Sequence, residues 1–411
     1  MAAIKLKLCI QIFVLLIVCV SKVESGPRYP VILVPGDGGS QLVARLNKTD
    51  TRSFLCRKST SDYESIWINL EELIPGVLSC FVDNMRLIYD PVTRKTSNSP
   101  GVDIRTIGFG GTDSVEWLDP SPTSHLIPFM SYFYHIVKDL VAIGYTRGVS
   151  VRGAPFDFRK APNEMSDYYT DVKNLIEDTY LKNNKTKVVI VAHSMGNPVF
   201  LYFLNNQLQD WKDQYIHAFI TLAGVWGGAI KPLRLMASGD SLGVVLVKPT
   251  IVREEQRSMP STAFLMPSDQ FWKPSEVLVV TDKKNYTVAD YKEYFNDLNF
   301  TDGYEMRRDT ENLIRDLKPP DVTVHCLHGS GVDTPDVLLF GEGQFPDTYP
   351  SDIPGDGDGT VNIRSLLGCL RWQGQQKAPV YHQLIPKAEH MAILQDTTVS
   401  KYIIDVVTGQ R

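Results

Sequence analysis

Val188-Val189-Ile190-Val191-Ala192-His193-Ser194-Met195-Gly196-Asn197 is the stretch that decides the fold. Its first five residues form an unbroken apolar, β-branched run, as in a strand covered on both faces. From Met195 to about Leu208 the spacing turns helical, with Pro198 tolerable in a first turn whose N–H groups lack partners anyway. Ser194 therefore sits on a tight strand-to-helix turn, with the small residues Ala192 and Gly196 two places to either side. That is the pattern of a nucleophile elbow, whose strained backbone lifts a hydroxyl above the sheet edge; Ala192 in place of the usual first Gly is a mild departure.

Working outward, the same alternation repeats. Pro30 to Pro35 reads as a strand ending in Gly36-Asp37-Gly38-Gly39. A helix fits Ser131 to Ile143, stopped by Gly144, and Gly148 to Arg152 is the next strand. Asn163 to Lys182 has helical spacing, and His217 to Leu222 completes a further strand. Strands alternating with helices predict an α/β fold of the α/β-hydrolase type: a mostly parallel sheet, helices on both faces, and insertions. From Val225 to about Pro320 the alternation weakens and the segment reads as a cap. Regular structure returns at Val322 to Leu327, then a Gly, Asp and Pro-rich loop to Gly359, a strand near Val380 to Ile385 and a helix after His390. The expected organisation is a signal peptide over 1–25, core over 26–55, a tethered insertion over 56–100, core with the elbow over 101–224, cap over 225–320, and core with acid and histidine over 321–411.

A serine hydroxyl needs a histidine to take its proton, and that histidine needs a carboxylate to fix its tautomer. In this fold the chain order is Ser, acid, His. His390 opens the last helix from the loop after the final strand, whereas His382 lies within that strand and His328 precedes the candidate acids. The acids crowd into Gly355-Asp356-Gly357-Asp358-Gly359, and the pattern alone does not choose between Asp356 and Asp358. A calcium loop would want a Glu late in the segment, and Asn362-Ile363-Arg364 supplies none. No metal or cofactor is expected. The developing oxyanion needs two donors: the amide after the nucleophile, at Met195, and one from Gly36-Asp37-Gly38.

The first residues follow the secretory pattern, with Lys5 and Lys7 ahead of an apolar run from Leu8 to Val20. Cleavage after Ser25 removes three Lys and one Glu, taking the formal charge from −5 to −7, and an acidic chain is a poor partner for nucleic acid. Sequons stand at Asn47, Asn184, Asn285 and Asn299. Cys56, Cys80, Cys326 and Cys369 can pair in three ways; sequential pairing is favoured, with buried free thiols the alternative for the second pair.

The motifs PVILVPGDGG, TRGVSVRGAPFDFRKAP, VVIVAHSMGN and GDGDGTVN, with the His390 segment, resemble the lecithin:cholesterol acyltransferase family from about Pro30 onward. Ala192-His193 is similar to its lysosomal branch more than to its plasma branch. The resemblance implies an acyl-enzyme on Ser194, acid Asp358, base His390, oxyanion amides at Asp37 and Met195, and disulfides Cys56–Cys80 and Cys326–Cys369. It also implies a phospholipase A and transacylase moving a fatty acyl group from a glycerophospholipid to water or a lipid alcohol such as ceramide, in a lysosome or secreted. A sterol acyltransferase or neutral-lipid lipase of the same fold is the alternative. Between Cys56 and Cys80, an apolar cluster including Trp67, Leu73, Ile74, Val77 and Leu78 is expected to dip into a phospholipid membrane, as the resemblance implies for this region. The expected assembly is a monomer.

Overall fold

Among the described residues of the computed structural model (28–69, 74, 76–121, 127, 130–241 and 247–411), six parallel strands form the central sheet. Their order is Val380–Pro386, Val324–Ser330, Ile216–Leu222, Val188–His193, Val31–Val34, Val151–Gly153. The expected signal peptide and Leu73 lie outside the described residues. Successive side chains of a strand face opposite ways, and here both ways lead into protein. Ile32, Val34, Ile190, Ala192 and Phe219 enter one core, while Val31, Leu33, Val189, Val191, Ala218 and Ile220 enter another. That double burial is why the strands read as unbroken apolar runs.

Helices cover both faces. Ser166–Lys182 contributes Val172, Leu175 and Ile176, and Gly196–Asn205 contributes Val199, Phe200 and Phe203, to the first core. Tyr134–Ala142 and Thr397–Val407 send Ile136, Val137, Leu140, Val399, Ile403 and Val406 into the second. Asp396 caps the last of these, accepting from the Thr398 amide at 2.7 Å. The helix expected to run to Leu208 ends at Asn205; Leu208 is extended and exposed, and Gln209–Tyr215 starts a separate helix.

The Gly, Asp and Pro-rich stretch before Gly359 is a correction. It contains two antiparallel strands, Val332–Leu339 and Ser351–Gly357, rather than a loop. Composition hid them because the second is a largely exposed edge strand, and Pro354 faces Pro335 beside a register shift, where neither proline must donate to the ladder. Val279–Val280, from the 225–320 segment, pairs parallel with Val332–Leu339. The helices of that segment share a core of their own around Leu233, Met236, Trp272, Tyr294 and Phe295.

On the other flank, Leu42–Leu46 pairs antiparallel with Glu64–Trp67 and with Val102–Thr106. The helix Leu78–Met85 follows, tied back by Cys56–Cys80, and Cys326–Cys369 is also formed. Asn47, Asn184, Asn285 and Asn299 are all exposed.

Candidate active site

In a parallel sheet the loops that follow the strands gather along one edge, where ligands of open α/β folds sit. Here that edge collects residues far apart in sequence. Ser194 follows Val188–His193 at φ 54°, the left-handed region that costs a serine energy and that the surrounding packing must hold. Its amide donates to Leu222 O at 2.9 Å, and Asn197 Nδ2 reaches Ser194 O and Leu222 O at 3.0 and 2.9 Å, fixing the turn. Gly196 is obligatory, since a Cβ there would collide with the Pro35 carbonyl.

His390 Nε2 lies 2.8 Å from Ser194 Oγ, and His390 Nδ1 lies 2.8 Å from Asp358 Oδ2. The carboxylate accepts at Nδ1, which leaves the Nε2 lone pair to accept from the serine hydroxyl. The other Asp358 oxygen takes the Val361 and Thr360 amides at 2.7 and 3.1 Å. Burial works to raise the Asp358 carboxyl, but the adjoining His390 and these amides outweigh it and hold it below the usual carboxylate range. Asp356 instead binds Ser330 Oγ and the Gly331 amide at the exposed edge, away from His390. Geometry thus separates the two acids.

The Gly36–Gly39 turn follows Val31–Val34, the neighbour of the elbow strand, so it lies against the serine. A Cβ on Gly36 would stand 2.6 Å from Ser194 Cβ. Neither the Asp37 nor the Met195 amide donates within the described residues, which leaves both for a ligand. Asp37 is itself exposed to solvent; the protein around its carboxyl pushes it up, and Lys231, the Gly38 amide and His390 pull it back.

Two of the residues expected to face a membrane are corrected. Trp67 is buried, packs against Phe81 and Phe158, and donates from Nε1 to Gly38 O at 2.7 Å; Leu78 is buried in the same core. Pairing of Leu42 with Trp67 brings the indole to the turn, a long-range register that local pattern does not disclose. Val77 is half-buried and Ile74 exposed. Phe54 and Leu55, which the sequence did not single out, are exposed just before that insertion, Leu55 against Gly76.

The sequence also missed Tyr132 and undervalued His193, both buried beside the triad. The rule that a histidine must follow the acid in chain order excluded His193 as a base and, with it, any other role. Among the described residues, no three His, Cys, Asp or Glu side chains group as metal ligands.

A family model described as lecithin:cholesterol acyltransferase matches residues 63–397. The chain is 46% identical over 385 residues to the human protein named lysosomal phospholipase A and acyltransferase, covering 94% of this chain and 92% of that one. It is 42% identical over 363 residues to the chicken protein named phosphatidylcholine-sterol acyltransferase, covering 88% and 86%. Among solved structures, the Tle4–Tli4 complex matches with a TM-score of 0.56 at 13% identity, over 93% of this chain and 98% of that one, a likeness of fold.

Proposed function

The chain belongs to the lecithin:cholesterol acyltransferase family, and on that premise we propose that it is a phospholipase A and acyltransferase working through an acyl-Ser194 intermediate. The observation that carries this is the unbroken Ser194–His390–Asp358 chain, 2.8 Å at each link. Ser194 Oγ attacks an ester carbonyl of a glycerophospholipid while His390 Nε2 takes its proton. Negative charge gathers on the carbonyl oxygen, where the Asp37 and Met195 amides donate to it. Collapse of the intermediate breaks the ester bond, and His390 returns the proton to the leaving lysophospholipid oxygen. Water or a lipid alcohol then attacks the acyl-serine, again giving its proton to His390; the acyl–Oγ bond breaks, His390 returns that proton to Ser194 Oγ, and the fatty acid or new ester leaves. Ceramide, through its primary hydroxyl, is the proposed alcohol.

The proposed working site is a bilayer surface in a lysosome, in keeping with the name of the human relative, or outside the cell. No described helix is long and apolar enough to cross a membrane. Phe54 (95% exposed), Leu55 and Ile74, on or beside the loop closed by Cys56–Cys80, are the apolar contacts proposed for the bilayer. The four exposed sequons are proposed to carry glycans, and the protein to act as a monomer.

The test is incubation of the purified protein with phosphatidylcholine liposomes containing ceramide or a sterol, from pH 4 to 8. Lysolipid, free fatty acid and acylceramide are expected, all abolished by Ser194→Ala. Sterol ester without acylceramide would overturn the acceptor, and activity surviving Ser194→Ala would overturn the mechanism.

A further inference from the structure

A second chain of hydrogen bonds runs beneath the triad. The Gly36 amide donates to Tyr132 Oη at 2.9 Å, Tyr132 Oη lies 2.5 Å from His193 Nδ1, and His193 Nε2 lies 2.9 Å from the carbonyl of His390. All the protons in it are assigned by elimination. A carbonyl only accepts, so His193 carries its hydrogen on Nε2 and offers a lone pair at Nδ1, and the Tyr132 hydroxyl donates there while its oxygen takes the Gly36 N–H. Tyr132 and His193 are fully or almost fully buried. Burial first, and then the neighbouring His390, push the His193 imidazole down to about 3, so the ring stays neutral and the direction of the chain does not reverse in the acid range.

Its two ends matter for chemistry. The Gly36 N–H closes the peptide unit just before the Gly36–Asp37 unit, so its bond to Tyr132 anchors the turn at the Gly36 Cα, while the Gly36 carbonyl of the unit carrying the Asp37 N–H accepts from the Gly39 amide at 3.1 Å. At the far end His193 grips the backbone of the base itself, with the two imidazole centroids 4.9 Å apart. Tyr132 also underlies the turn, because a Cβ on Gly39 would meet its ring at 2.7 Å. The ring is held in turn by the Tyr132 amide, which donates to Glu116 O at 2.7 Å.

We infer that Tyr132 and His193 are a positioning pair that locks the Asp37 amide and the His390 backbone to one another, setting the distance between oxyanion donor and base. Neither touches the reacting atoms. The inference rests on the proposed roles of Asp37 and His390. Because errors near 1 Å in a reacting geometry cost on the order of 100-fold, a rigid buried strut between these loops preserves rate rather than substrate affinity.

The test uses Tyr132→Phe, His193→Ala and His193→Gln in the full-length protein, with active sites titrated by a fluorophosphonate and a short soluble ester as substrate. Gln can accept from Tyr132 and donate to the His390 carbonyl, so it is the conservative replacement. Tyr132→Phe and His193→Ala are expected to lower kcat per titrated site about 10- to 100-fold with KM within about 2-fold, less than the loss of an oxyanion donor outright. Binding of a trifluoromethyl ketone, which forms a tetrahedral adduct, should weaken by the same factor, and His193→Gln should recover most of it. If kcat per titrated site is unchanged in Tyr132→Phe, or in His193→Gln and His193→Ala alike where Tyr132→Phe does not fold, the pair is only structural and the inference fails. Ser194→Ala in parallel reports separately on the proposed reaction.

Discussion

The indole of Trp67 donates a 2.7 Å hydrogen bond to the carbonyl of Gly38, so a side chain from the disulfide-closed insertion holds the turn that carries the Asp37 amide. Trp67→Phe keeps an aromatic ring and removes that donor. With roughly 1 kcal/mol for a hydrogen bond of this type, kcat should fall about 5- to 10-fold on soluble ester and liposome alike. Loss confined to liposomes would return Trp67 to the membrane face.

Phe54→Ser with Ile74→Ser should do the opposite. Both side chains are exposed and neither belongs to the Ser194–His390–Asp358 chain, so hydrolysis of a soluble ester should be unchanged while liposome binding weakens. Burial of two such side chains is worth about 1.5 to 3 kcal/mol each, and partial burial predicts a drop of at least 10-fold in sedimentation with vesicles. Equal vesicle binding by the variant rejects the contact.

The two neighbouring acids should separate by rate. Asp358→Asn, which loses the partner of His390 Nδ1, should lower kcat by about 10,000-fold. Asp356→Asn should cost less than 10-fold, since its bonds go to Ser330 and Gly331. The reverse ranking in steady-state kinetics would transfer the role to Asp356.

Much of this was legible in the chain because the decisive signals are local. The elbow needs ten consecutive residues, and the strands beside it are apolar on both faces because both faces are covered. What escaped was whatever depends on register between distant segments. Nothing near Trp67 in sequence says that it pairs beside Leu42 and so meets Gly38, and an apolar side chain reads alike whether it meets a bilayer or a core. Asp356 lies within the exposed edge strand and Asp358 is buried one residue past its end, a difference that composition cannot express. Likewise the edge strand Ser351–Gly357 lacks apolar alternation because its surface is wet.

The pH response on a soluble ester should be limited on the alkaline side by Asp37. Its carboxyl, raised to about 6 although the residue is exposed, is neutral below that pH and an anion above it, on the turn proposed to bind the oxyanion. The rate should therefore fall as pH rises through about 6, and Asp37→Asn, which never ionises, should move that limb upward. An unshifted alkaline limb in the variant would exclude Asp37 as its cause.

Glu255, buried on the helix Pro249–Arg257, supplies a stability test. Burial first, and then the nearby Asp37, raise its carboxyl from 4.5 to about 8, with Arg159 opposing. The unfolded chain releases this proton above about pH 4.5 while the folded chain keeps it, so stability is lost as pH rises from there toward 8. At pH 7 the cost is on the order of 3 kcal/mol. Glu255→Gln should unfold at higher urea than the parent at pH 7.5 and at the same urea at pH 4. An equal gain at both values would point to packing instead of charge.

Ser194 and His390 touch across 196 positions of chain. Synthesis runs at about 5 to 20 residues per second, so roughly 10 to 40 s separate the making of the nucleophile from that of its base. During that interval the nascent polypeptide holds the nucleophile but has no means of activating the hydroxyl. The lipid-cleaving chain is thus inert while it is being made, and it acquires its danger only once the segment beyond the last strand of the sheet, with His390, has been added.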